Sequence, residues 1–257
     1  MDDQYILKTL SNAIDVLELF EDEVSLTPKD IENKMKMNRT NLYRILYTLR
    51  HRGLLDLDPQ SGEYRIGMKA VHLTALSLKR LDVKTISRPY LLKLGEMLGE
   101  SIHLVKKNNN FAMFIDKIEA AEEVNMGSYI GWTAPLYCTA SGKLLMSYKS
   151  DEWIKNYIQG INPKKYTDNT LTEFPHLLHN IKQIRHNGYS SDEEEMVEGL
   201  TCFAVPILGH KNNVLAAISV SGATTKMNKR KEEFLKQIEK TAAEISHAIK
   251  LTPEGVF

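Results

Sequence analysis

From Arg39 to His51 the chain sets Leu42, Ile45, Leu46 and Leu49 at i, i+3, i+4 and i+7, with no proline or glycine inside the run. That spacing puts four apolar side chains on one stripe of a helix, which must be buried against something. The opposite face carries Arg39, Thr40, Asn41, Tyr43, Arg44 and Tyr47, and Gly53 ends the helix. The flanking segments limit what that partner can be. Upstream, Thr27-Pro28-Lys29-Asp30 predicts a helix start, with Thr27 as cap, Pro28 in the first turn and Asp30 completing a capping-box-like pair. Ile31 and Met35 form its apolar face. Before it, Ser11 to Phe20 predicts a helix capped by Ser11, with Leu10, Ala13, Ile14 and Leu17 at helical spacing. Downstream, Leu54–Leu57 and Glu63–Ile66 flank Asp58-Pro59-Gln60-Ser61-Gly62, the pattern of a short hairpin. Three helices and a two-stranded wing over residues 1–67 make a winged helix-turn-helix, whose third helix enters the DNA major groove.

Bulk charge neither supports nor opposes this, because Lys plus Arg equal Asp plus Glu at 33 each. Local charge supports it. Lys34, Lys36, Arg39, Arg44, Arg50 and Arg52 lie between Asn33 and Leu55 with no acid among them. A cationic helix in a neutral chain is the footprint of phosphate binding. The expected DNA-facing set is Thr27 and Lys36 ahead of the helix, Arg39, Thr40, Asn41, Tyr43, Arg44, Tyr47 and Arg50 on it, and Arg65 in the wing. Arg suits guanine and Asn suits adenine, while Thr, Tyr and Arg can hold phosphates. A merely solvated basic helix, or a winged helix that binds protein, shows the same pattern; salt-dependent, sequence-specific retention on DNA separates these.

The remaining chain predicts a linker helix at 68–82 and an effector domain at 83–257. The linker's apolar stripe, Val71, Leu73, Leu76 and Leu78, is a surface for pairing two copies, since one winged helix covers a single half-site. A helix over Val83–Leu98 leads to strands near Ile102–Val105, Ala112–Ile118 and Val124–Gly127. Helices follow near Ala140–Tyr148, Asp151–Ile158 and Thr172–His186. Strands at Cys202–Leu208 and Val214–Val220 then precede a final helix, Lys229–Lys250. The order implies an α+β fold, an antiparallel sheet with packed helices. Hydrophobic residues at 42% are enough for packed cores. No run approaches the ~18–20 apolar residues of a membrane span. Two cysteines outside any metal-type spacing fit a reducing cytoplasm.

No nucleophile elbow, phosphate loop or H-E-x-x-H helix is present, and Asp192 with Glu193, Glu194 and Glu195 fits a solvated acidic turn better than paired catalytic carboxylates. A sugar-acid-metabolising enzyme with an accessory DNA-binding domain stays open as the alternative. A small-anion pocket fits the residues better. Ser219 and Ser221 share parity on one strand and face one side of the sheet, opposite Ile218 and Val220. Ala140-Ser141-Gly142 opens a helix whose first N–H groups favour an anion. Against this, Cys202 can be simple core and the serines can satisfy nearby backbone. His103, Cys138 and Cys202 are too scattered to read as a metal site, and no cofactor is implied.

Two segments, Ser11 to Phe20 and Asn41 to Leu49, resemble the DNA-binding domain of IclR-type regulators. Where that family's recognition helix opens with Ser-x-Ser-Thr, this chain has Asn38, Arg39, Thr40 and Asn41, a departure that changes the bases read. Gly131 to Lys143, Gly188 to Glu195, Gly199 to Pro206 and Ile218 to Gly222 are similar to its effector-domain signatures, in the same order. The resemblance implies a GAF-like effector domain and DNA-binding regulation, more often repression, working as a homodimer or homotetramer on a double-stranded operator. It also implies that Ala140, Ser141, Asp192, Cys202, Ser219 and Ser221 contact a small carboxylic or keto acid, beside Gly142 at the helix start. The Pro135 to Lys143 run and Glu100 to Leu104 look most like regulators that respond to 2-keto-3-deoxygluconate.

Overall fold

A computed structural model describes residues 6–35, 37–78, 82–120 and 127–251. The chain divides into two compact units, Met1–Arg80 and Leu81–Phe257. The first contains α1 (Lys8–Glu18), a 3-10 turn at Leu19–Glu21, α2 (Pro28–Lys34), α3 (Arg39–His51), β1 (Leu55–Leu57), β2 (Tyr64–Ile66) and α4 (Met68–Leu78). Thr27 caps α2 by accepting the Asp30 N–H at 3.2 Å, and Asp30 accepts the Thr27 N–H at 3.1 Å. Asn38 caps α3 by accepting the Thr40 N–H at 2.9 Å. The α3 stripe is buried as its spacing requires. Leu42, Ile45, Leu46 and Leu49 pack with Val16, Leu26, Ile31, Leu55 and Tyr64. The wing is antiparallel, and Leu26 ties it to the helices by pairing with Tyr64.

α1 departs from expectation. Its N-cap is Leu7, without a side-chain cap, so Ser11 lies inside the helix. Val16 is the side chain it buries fully, whereas Leu10 and Ile14 stay exposed. The helix rolls Val16 into the core because Ala13 and Leu17 flank it there, leaving part of its apolar stripe outward. On α4, Val71 and Leu73 are exposed; the side chains of Leu76 and Leu78 fall outside the described residues.

The second unit runs α5 (Asp82–Leu98), β3 (Ser101–Asn108), β4 (Phe111–Ile118), β5 (Thr133–Pro135), α6 (Ala140–Ser147), α7 (Asp151–Ile161), α8 (Phe174–Asn187), β6 (Ser190–Glu193), β7 (Leu200–Leu208), β8 (Val214–Ala223), α9 (Thr224–Lys229) and α10 (Lys231–Lys250). The sheet order is β5-β4-β3-β8-β7-β6, and every neighbouring pair is antiparallel. Alternation divides its side chains between two cores. Ile102, Leu104, Phe203, Val205, Ile218 and Val220 face α5 and α10. Val105, Phe114, Cys202, Ala204 and Ala217 face α6, α7 and α8. The fold is therefore α+β, with helices on both faces of an antiparallel sheet.

A strand expected over Val124–Gly127 is not found at Gly127, and residues 121–126 lie outside the described ones. The strand that pairs with β4 is instead β5, which ends in Pro135, a residue tolerated at a sheet edge. The acidic run is not a solvated turn. Ser190–Glu193 forms edge strand β6 on β7, burying Asp192, and Glu195 just beyond it is buried too. The final helix begins at Lys231, because Arg230 at φ −113°, ψ 20° separates it from α9.

Candidate functional site

On α3, Arg39, Thr40, Asn41, Tyr43, Arg44, Tyr47 and Arg50 are all exposed. Arg39, Thr40, Tyr43, Arg44, Tyr47 and Thr48 line one shallow concavity. The Arg39 guanidinium lies 5.6 Å from the Tyr43 ring centre, and Tyr47 stacks on His51. Glu32 stands 3.7 Å from Arg39, whereas Arg44 and Arg50 have no ion pair among the described residues. Two other expected contacts are already engaged: Arg65 pairs with Asp58 at 2.6 Å, and the Thr27 hydroxyl serves the α2 cap. Lys36 lies outside the described residues.

In the second unit, parity holds. Ser219 and Ser221 are both buried on the α6 side of β8. Register then brings the other expected residues to the same face: Cys202 lies opposite Ser221, and Asp192 opposite Cys202. Helix α6 packs across these strands, with Ala140, Ser141 and Gly142 buried at its start. The hydroxyls of Ser141, Ser219 and Ser221 make no hydrogen bond among the described residues. All seven expected residues therefore lie on or against one face of the sheet.

The helix start differs from expectation. The Gly142 N–H donates to the Thr139 hydroxyl at 3.1 Å, and the Lys143 N–H to the Thr139 carbonyl at 2.9 Å. The first two N–H groups, of Ala140 and Ser141, make no such bond among the described residues. Gly142 is glycine for space, since a Cβ there would collide with the Leu136 carbonyl and the Thr139 hydroxyl. Thr139 thus caps α6 and closes part of the anion site that the free N–H groups suggested.

Charge at this face centres on Lys143. It is buried and ion-paired with Glu195, which is buried as well. Asp192 accepts the Glu195 N–H at 2.7 Å. Burial, and next the neighbouring Glu195 carboxylate, push the Asp192 pKa up to about 7, with Lys143 opposing. Glu195 is raised by burial against the pull of Lys143. Burial, and then Asp192, push the Cys202 thiol well above its ordinary value. A carboxyl that keeps its proton near neutrality can donate to an anionic ligand, so Asp192 is no obstacle to one. No group of His, Cys, Asp and Glu among the described residues is arranged to hold a metal ion.

The IclR helix-turn-helix profile matches residues 9–59, and the profile named Bacterial transcriptional regulator IclR C-terminal matches residues 75–247. The chain belongs to the IclR family. It is similar to the HTH-type transcriptional regulator XynR of Escherichia coli (strain K12), 28% identical over 246 residues, covering 95% of this chain and 98% of that protein. KdgR of the same strain is 30% identical over 227 residues, covering 88% of this chain and 86% of that one. The crystal structure of the Thermotoga maritima IclR aligns with a TM-score of 0.76 at 28% identity, over 95% of this chain and 99% of the other. This IclR-family chain is a DNA-binding transcriptional regulator with an effector-binding domain, and not an enzyme. Among its described residues no helix is long and apolar enough to cross a membrane.

Sequence reasoning missed the Lys143–Glu195 pair in this IclR-family domain. The sequence carried no local signal for it: Lys143 and Ser147 at i, i+4 read as a solvent-facing side, and it is the burial of all of Ala140–Ser147 that forces the lysine to be paired.

The folded Asp192 pKa lies above its ordinary 3.8, so between about pH 4 and pH 7 the folded chain holds a proton that the unfolded chain has released. The corresponding stability is complete below about pH 4 and is lost as pH rises through about 7. Asp192→Asn stays neutral throughout. Thermal denaturation from about pH 5 to pH 8 should therefore show wild type losing more melting temperature than the variant, and parallel curves would mean Asp192 is already ionised.

Proposed function

We propose that this chain is a repressor released from or held on its operator by a small hydroxylated organic acid of the 2-keto-3-deoxygluconate kind. One observation carries the effector half. Three buried serines, Ser141, Ser219 and Ser221, sit on one face with hydroxyls that make no hydrogen bond among the described residues, beside the Asp192 carboxyl, whose pKa burial raises to about 7. Buried hydroxyls need partners, and a hydroxy or keto acid supplies several at once. Ala140 and Ser141 contribute the open N–H groups, Gly142 lets α6 approach, and Asp192 and Cys202 complete the wall. Similarity to KdgR favours a sugar-derived keto acid, while similar relatives named XynR and the repressor AllR carry other names. The name of AllR supports repression.

The DNA half rests on the exposed face of α3. Arg44 and Arg50 hold phosphate, Asn41, Arg39 and Thr40 meet base edges, Tyr43 and Tyr47 support them, and Lys36, Arg65 and Thr27 add further contacts. Two copies are needed to cover two half-sites, as a homodimer or homotetramer. Exposed Leu10 and Ile14 on α1, with Val71 and Leu73 on α4, are apolar surface for that pairing.

Arg44→Ala should weaken binding to all DNA sequences and flatten the salt dependence, whereas Asn41→Ala should change the preferred base. Gel-shift titrations of both, on operator and random DNA at two salt concentrations, check this; no effect in either removes α3 as the reading helix. The double variant Ser219→Ala/Ser221→Ala should bind the acid roughly ten- to a hundredfold more weakly by calorimetry while keeping ligand-free DNA affinity. Unchanged effector affinity would place the site elsewhere. Sedimentation equilibrium at micromolar concentration should give a dimer or larger, and a monomer would remove the pairing surface.

A further inference from the structure

We propose that His103 on β3 is a specificity-determining contact for the effector, which is a hydroxylated acid long enough to reach it from the start of α6, across Ser219 and Ser221. This rests on the reading of the buried polar face as the effector site. Register shows that the polar strip does not stop at β8. Ser219 lies opposite His103 on β3, and His103 opposite Lys117 on β4. In the other direction Ser219 lies opposite Ala204, and Ala204 opposite Ser190. Directly opposed residues share a face of a sheet, so this row crosses five strands on the α6 side. At its far end the Ser190 hydroxyl is fully buried with no partner among the described residues.

His103 is out of place as packing. It is 2% exposed, and its Nε2 meets the Ser128 hydroxyl at 3.1 Å. Phe114 stands edge-on to the ring with centroids 5.2 Å apart. Its second ring nitrogen, Nδ1, has no hydrogen bond to a described residue. An imidazole has two polar nitrogens, and an apolar side chain would fill this place at lower cost. Burial, and next the nearby Lys117, lower its pKa to about 3, so the ring is neutral at physiological pH. A neutral ring presents one N–H and one lone pair; an alcohol, donor and acceptor at once, can pair with whichever of the two faces it, whereas a carboxylate can use the N–H alone. The polar order along the site is then an acid end at the α6 start and a hydroxylated tail at β3.

Length separates the candidates. With the acid end between the α6 start and Cys202 on β7, His103 on β3 lies two strand spacings away, about 9–10 Å; a three-carbon acid covers roughly one spacing of ~4.8 Å and stops at β8, whereas an extended six-carbon hydroxy acid comes within hydrogen-bond reach of the ring.

The test is calorimetry on the full chain with two probes, pyruvate and 2-keto-3-deoxygluconate, for wild type, H103L and H103N. H103L should lose about tenfold or more in affinity for the six-carbon acid and less than about twofold for pyruvate. H103N, which restores an amide near the Nδ1 position, should recover part of that loss. Circular dichroism and melting establish that each variant is folded, and if H103L is not, the same ratio is measured on H103N and H103Q. A loss common to both acids, no loss for either, or wild type binding pyruvate alone overturns the assignment of His103 and leaves the strip as the effector site. Wild type binding neither acid overturns the effector reading and this inference together.

Discussion

A lysine cannot remain charged in an apolar interior without a counter-charge, and Lys143 has one in Glu195. The pair pins α6, a helix with no solvent-facing polar side, to the segment that follows edge strand β6. Removing either partner would leave an uncompensated buried charge, at a cost of about 3–5 kcal/mol. Much of the buried polar face follows from it. Burial first, and then the repelling Glu195 carboxylate, push the Asp192 pKa up to about 7, against the pull of Lys143 and of the N–H that Glu195 donates to it. Glu195 is fixed from the other side as well, its carbonyl accepting the Thr170 hydroxyl at 2.6 Å. The short, polar β6 is thereby a defined edge of the sheet despite a composition that disfavours strands.

The two units solve different electrostatic problems. The winged helix keeps its charge in water. Arg44 and Arg50 stand exposed on α3 with no ion pair among the described residues, and exposed cations are available to phosphates at little desolvation cost. The effector domain does the reverse. It buries Lys143, Glu195, Asp192 and His103, and burial shifts the pKa values of Asp192, Glu195 and His103 away from their ordinary values. A ligand that supplies partners to these groups changes their balance, which is how a small molecule can alter the stability of one arrangement over another.

Much of this was legible from spacing alone. The α3 stripe, the Thr27 cap, the wing and the shared parity of Ser219 and Ser221 are local patterns with periods of 3.6 or 2, and the fold keeps them. The expected effector residues came partly from parity and partly from family resemblance, and register places them together. What failed were segments whose local chemistry argues against their fate. Ser190 to Glu193 is acidic and polar, yet it pairs with β7 because the sheet offers an unpaired edge there. Leu10 and Ile14 read as core, yet α1 turns Val16 inward instead.

The sequence by itself determined the two-part organisation, the amphipathic recognition helix and the alternation that gives the sheet its two cores, because each depends on neighbours within a few residues. The tertiary structure alone decided which buried charges meet. Lys143 and Glu195 are 52 positions apart, and Asp192 faces Cys202 and Ser221 only through strand register. Pairing at that separation is set by how helices and strands pack rather than by local propensity, and the protonation of Asp192 and the neutrality of His103 follow from that packing.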